Sequence, residues 1–90
     1  MYILECSDNS FYIGHTDDID KRVFEHMQGQ VSGYTKTRLP IKVVYTQSFG
    51  TRYEAIAAEQ QIKKWTRKKK KALIEEDWET IKKLSKGYDF

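Results

Sequence analysis

The stretch "SFYIGHTDDIDKRVFEH", Ser10–His26, decides how this chain folds. Its first half is an apolar, aromatic run ending at Gly14. Its second half crosses a polar turn into an amphipathic helix. Ile19, Val23 and Met27 recur every four residues after a cluster of acids, and Gly29 supplies a stop. Arg22 and His26 lie four apart on that helix, at the edge of its apolar stripe. A tyrosine, an arginine and a histidine therefore surround one strand-to-helix junction.

Upstream, "YILEC" is a second β-rich run, joined to "SFYIG" by "SDN" with its turn-forming Asp8 and Asn9. The two runs read as an antiparallel hairpin. Downstream, "QVSGYTKTRLP" reads as a loop punctuated by Gly33 and Pro40, and "IKVVYTQSF", Ile41–Phe49, as a third strand. Thr51 and Glu54 stand at capping-box spacing, so a helix is expected to start near Arg52 in "TRYEAIAAEQQIKKW". Thr66 can cap a further helix through "RKKKKALIEE", and Asp77 a last one, "WETIKKLSK", ending at Gly87. The order β-β-α-β-α-α-α predicts the α+β class: a three-stranded antiparallel sheet flanked by helices.

The composition bounds what such a fold can be. Ninety residues make one domain, with a core expected over about 1–75 and a C-terminal helix over about 77–86. Apolar residues at 39% and charged residues at 32% describe a globular chain. The apolar start at Met1–Leu4 is too short for a targeting or membrane segment, which makes the cytoplasm the expected compartment and a membrane partner unexpected. The single cysteine, Cys6, excludes an internal disulfide and a Cys-rich zinc site, and is expected to be a small buried apolar residue.

Sixteen Lys and Arg against thirteen Asp and Glu give a modest net charge of +3, but the cations are unevenly placed. "KKWTRKKKKA" holds Lys63, Lys64, Arg67, Lys68, Lys69, Lys70 and Lys71 within ten residues. A patch of this kind can bind a polyanion, because neutralising phosphates releases condensed counterions. A solvated helix surface is the plainer reading.

Three features could carry chemistry. Ala55, Ile56, Ala58, Ile62 and Trp65 form one broad helical stripe, and Glu59 falls inside it. A carboxylate there needs a cation or hydrogen-bond donors, supplied by a structural partner or by a metal at the floor of a cleft. Arg22 can clamp a phosphate through its planar fork, and His26 can exchange a proton near neutral pH. Tyr2 and Tyr12 are ten apart on paired strands, so the hairpin can bring them together on one face, as core residues or as catalytic ones. To act as a base, a tyrosine with an ordinary pKa near 10 needs a cation beside it. Arg22 and a metal on Glu59 are candidates for that cation.

These residues resemble the GIY-YIG nuclease domain over roughly residues 1–75. The "YIG" is Tyr12-Ile13-Gly14. Tyr2 falls at the tyrosine of the first motif half, Arg22 at the family's arginine, His26 four further on, and Glu59 at the metal-binding glutamate. The likeness is greatest to small stand-alone members, which share Tyr34, Thr35, Arg38 and Pro40 and the tail from Trp65 to Leu73. The resemblance implies metal-dependent hydrolysis of DNA phosphodiesters, with one divalent ion, usually Mg²⁺, in DNA repair or processing. Glu59 would ligate the metal, Arg22 would hold the scissile phosphate, and Tyr2, Tyr12 and His26 would share deprotonation of the attacking water.

Lys63, Lys64, Arg67, Lys68, Lys69 and Lys70 are expected nucleic-acid contacts, as are Tyr34 by stacking and Arg38 by phosphate binding. A protein partner could supply targeting. The chain departs from the family at two points. Its first motif half reads "MYI" without the glycine, which predicts a short edge strand at the N-terminus. Larger relatives use a late asparagine, and the only Asn here is Asn9 in the hairpin turn. His15, after the motif glycine, is expected to be a surface residue. The alternative function is a non-cutting nucleic-acid-binding module of the same fold.

Overall fold

The computed structural model describes residues 1–30 and 33–85. The hairpin joins β1 (Tyr2–Glu5) to β2 (Phe11–Gly14). The Cys6 amide donates to the Ser10 carbonyl at 2.9 Å, and Asn9 takes the left-handed conformation at φ +66°. Asp8 accepts the Ser10 amide at 3.0 Å, the local hydrogen bonding that suits this residue to turns. The register pairs Tyr2 with Gly14, Ile3 with Ile13, Leu4 with Tyr12 and Glu5 with Phe11.

The third strand, β3 (Lys42–Thr46), pairs antiparallel on the other side of β1, giving the order β2-β1-β3. The strand built on the glycine-less motif half is therefore central, not an edge. Ile3 and Leu4 are wholly inaccessible to solvent. Its start is tied to the chain after β3: the Met1 nitrogen donates to the Gln47 carbonyl and the Gln47 amide to the Met1 carbonyl, both at 2.9 Å. Ile3 faces Tyr45 and Leu4 faces Val43, so Val44 is the extra residue of a bulge. The strand stops at Thr46 rather than Phe49, because residues 47–50 leave the ladder to wall a cleft.

Side-chain alternation then sorts the sheet into two faces. Ile3 and Ile13 pack in one core with Ile62 and Leu73, joined by Phe11, Tyr45, Trp65, Ile74 and Ile81. Three helices supply that layer: α3 (Arg52–Lys63), α4 (Arg67–Ile74) and α5 (Trp78–Ser85), numbered after the two helices of the opposite face. Their starts fall where capping predicts. Thr51 accepts the Glu54 amide, Thr66 the Lys69 amide and Asp77 the Thr80 amide, each at 3.2 Å. The expected stop at Gly87 lies outside the described residues. Cys6 is buried, as its type predicts.

The other face, with Tyr2, Leu4, Tyr12 and Gly14, is covered by α1 (Ile19–Met27) and by α2 (Gly33–Lys36), a single turn inside the stretch expected to be a loop. Asp18 caps α1 by accepting the Lys21 amide at 3.1 Å, and Gly29 follows its end at φ +72°. The buried row of α1 is not the expected one. Met27 is 45% exposed and Phe24 63%, whereas His26 is at 0%. The reason is chemical: Tyr2 on the sheet and Thr35 on α2 satisfy the imidazole, so it can be buried at little cost.

Candidate active site

Tyr2 comes first because the backbone makes room for it. A Cβ built on Gly14 would lie 2.5 Å from the Tyr2 hydroxyl oxygen and 2.7 Å from its Cζ. Glycine opposite Tyr2 on the neighbouring strand thus lets the ring lie flat across the sheet. From there its hydroxyl reaches His26 Nε2 at 3.0 Å, and His26 Nδ1 meets Thr35 Oγ1 at 2.9 Å. Both ring nitrogens are engaged, so the imidazole is fixed in position. Tyr12 packs edge-on against His26 with centroids 5.1 Å apart, and lies 6.4 Å from the Tyr2 ring.

Burial, foremost, raises the Tyr2 phenol far above its ordinary pKa, and the neighbouring Tyr12 adds to this. Arg22 pulls the other way but does not prevail, so the cation expected to make Tyr2 a base does not do so by itself. Burial and then Arg22 lower the His26 pKa from its ordinary 6.5. The imidazole is therefore neutral at pH 7.

Arg22 and Tyr2 line one open cleft of about 570 Å³, together with His15, Thr16 and the segment from Thr46 to Arg52. The Arg22 Nε is buried, and among the described residues nothing hydrogen-bonds to it. The Glu25 carboxylate stands 3.8 Å away, an ion pair too long for a hydrogen bond. The side chain as a whole is 37% exposed and lines the cleft, where the planar edge of a guanidinium can meet an oxyanion.

Glu59 projects from the sheet-facing side of α3, its side chain 12% exposed. Its Oε2 lies 2.9 Å from His15 Nδ1 and its Oε1 3.5 Å from Lys63 Nζ. His15 is thus part of the site and not an idle surface residue. Its sequence signal was weak, because a lone histidine after the motif glycine does not announce a partner 44 residues away. Tyr12, His26 and Glu59 are not lining residues of the cleft. Each is joined to it through one that is, Tyr2 or His15.

Among the described residues, no three His, Cys, Asp or Glu side chains gather as a metal-binding group. Glu59 nevertheless fits a hard divalent ion. Among the described residues its Oε1 is ion-paired with an exposed lysine alone, and Mg²⁺ keeps several waters and often takes one or two carboxylates plus substrate phosphates.

The predicted nucleic-acid contacts divide. Lys63, Lys64, Arg67 and Lys68 are exposed, with the Arg67 guanidinium 4.5 Å over the Phe11 ring. Lys70 is half-buried, and burial lowers its pKa. Lys69 leaves the set: it is 6% exposed, its ammonium 4.3 Å above the Trp65 ring, because it falls on the inward side of α4 with Ala72 and Leu73. Arg38 is held within the fold. Its Nε donates to Asp8 at 2.9 Å, an Nη to the Tyr34 carbonyl at 2.9 Å, and its guanidinium lies 4.0 Å from the Tyr34 centroid. Tyr34 in turn packs 6.1 Å from Tyr12, so this network braces the tyrosine.

The family model described as the GIY-YIG catalytic domain matches residues 1–72. The UPF0213 protein YazA of Bacillus subtilis is 48% identical over 76 residues, covering 84% of this chain and 77% of that one. A UPF0213 protein of Haloquadratum walsbyi is 46% identical, covering 84% and 85%. The solution structure of the UPF0213 protein BH0048 from Bacillus halodurans superposes with a TM-score of 0.54 at 40% identity, covering 82% of this chain and 79% of that one.

Proposed function

This chain belongs to the GIY-YIG domain family, and from that premise we propose that it is a metal-dependent endonuclease that hydrolyses DNA phosphodiester bonds in DNA repair or processing. The family is in general one of endonucleases that act on DNA and use divalent metals. One observation carries the reading furthest: Arg22 lines one cleft together with Tyr2, whose hydroxyl is bonded to the buried, neutral His26.

The residues divide the work as follows. Arg22 binds the scissile phosphate from the cleft wall and stabilises charge that develops there. Tyr2 and Tyr12 orient the attacking water. With Nδ1–H of His26 donated to Thr35, its Nε2 accepts from the Tyr2 hydroxyl. As Tyr2 takes a proton from the water, it can pass its own to Nε2, so the phenolate never has to persist. The buried ring thus serves as the proton store and Tyr2 as its contact with the cleft. Glu59 would hold the divalent ion, most simply Mg²⁺, which when bound supplies Lewis acidity and steadies the leaving oxygen.

The test is Mg²⁺-dependent nicking of plasmid, branched and single-stranded DNA by the wild type, Arg22→Ala and Glu59→Ala. We expect both variants to fall at least ~10²-fold, the scale of losing one charge-stabilising donor, while still binding DNA. Equal cutting by all three proteins would overturn the assignment.

A further inference from the structure

His15 is the cleft residue that the division of labour above leaves without a task. Its ring sits at the junction of β2 and α1, 34% exposed, and meets the middle of α3 at Glu59 Oε2. An ionised carboxylate only accepts hydrogen bonds, so this contact requires the hydrogen on Nδ1. The two oxygens of Glu59 are then unequal. Oε2 is committed to a ring anchored beside the motif glycine. Oε1 faces Lys63, a side chain 54% exposed and one helical turn further on, which can swing into water.

Resting on the nuclease reading, we propose that His15 is a positioning residue that donates Nδ1–H to Oε2 and thereby turns Oε1 of Glu59 toward the divalent ion. Lys63 neutralises that oxygen until the ion arrives. Nothing else among the described residues hydrogen-bonds the Glu59 carboxylate, so its orientation depends on this one donor. Losing an outer partner of a metal ligand typically costs about 10–100-fold in metal affinity.

Two measurements on the full chain test this, and neither needs DNA. Long-range ¹H–¹⁵N NMR at mildly alkaline pH reads the His15 tautomer. The Nδ1–H form is expected in the wild type, reverting toward Nε2–H in Glu59→Ala. An Nε2–H wild type overturns the proposal. Mn²⁺ binding, followed by loss of the free-ion EPR signal, is expected to weaken about 10–100-fold in His15→Ala but to stay within about threefold in His15→Asn, whose amide can place a donor where Nδ1 was. An unweakened His15→Ala, or a His15→Asn as poor as His15→Ala, also overturns it. If no DNA is cut while the tautomer and Mn²⁺ results hold, the nuclease reading fails and the positioning of Glu59 stands.

Discussion

Gly14 is small because of a side chain on the neighbouring strand. Any Cβ there displaces the Tyr2 ring, and with Tyr2 only 2% exposed the ring has nowhere to go without leaving His26. Gly14→Ala is therefore expected to cost about 1–3 kcal/mol of stability, the scale of overpacking, and to reduce nicking beyond what that loss explains. Urea denaturation read beside the nicking rate decides this, and an unchanged pair of values would refute it. His26 sets a pH dependence. Its folded pKa is lowered from 6.5, so the unfolded chain binds the proton more readily and stability falls as pH drops below about 6.5. Thermal melts from pH 7.5 to 5 should show that decline, flattened in His26→Gln. At this scale the tyrosine pair, Arg22 and Glu59 were legible, because alternation and helical spacing put them on definite faces. His15 and Thr35 were not. Each acts through a contact that no local pattern encodes.

The helices show how propensity and tertiary context divide the work. Threonine and aspartate caps located the starts of α3, α4 and α5 from sequence, since a cap needs only its own next three residues. The inward row of α1 could not be read the same way. Apolar spacing favoured Met27, but the sheet face it meets offers a phenol, and a histidine with both nitrogens bonded wins the buried place. The single turn α2 lies in a stretch that reads as a loop, because a four-residue helix has too little sequence for a period. In α4 the buried positions Lys69, Ala72 and Leu73 leave Lys68 and Lys71 outward. We expect Lys68→Gln/Lys71→Gln to lower the slope of log K against log salt by about 2 without altering sequence preference. Fluorescence anisotropy between low and moderate salt measures it, and an unchanged slope would place the DNA elsewhere.

For the whole molecule, the sheet order was the hardest feature to anticipate. Hairpin pairing is local, whereas the addition of β3 to the far side of β1 joins residues more than 40 positions apart, Tyr2 with Thr46. A missing glycine suggests an edge, but "YILE" is paired on both sides, with Tyr2, Ile3 and Leu4 all buried. Described residues include no helix long and apolar enough to cross a membrane. Having its middle strand synthesised well before one of that strand's neighbours has a consequence during translation. At ~5–20 residues per second, the nascent hairpin, complete at Gly14, waits about 2–6 s before the third strand is made through Thr46. Throughout that interval one flank of Tyr2–Glu5 is unpaired and its apolar underside is bare.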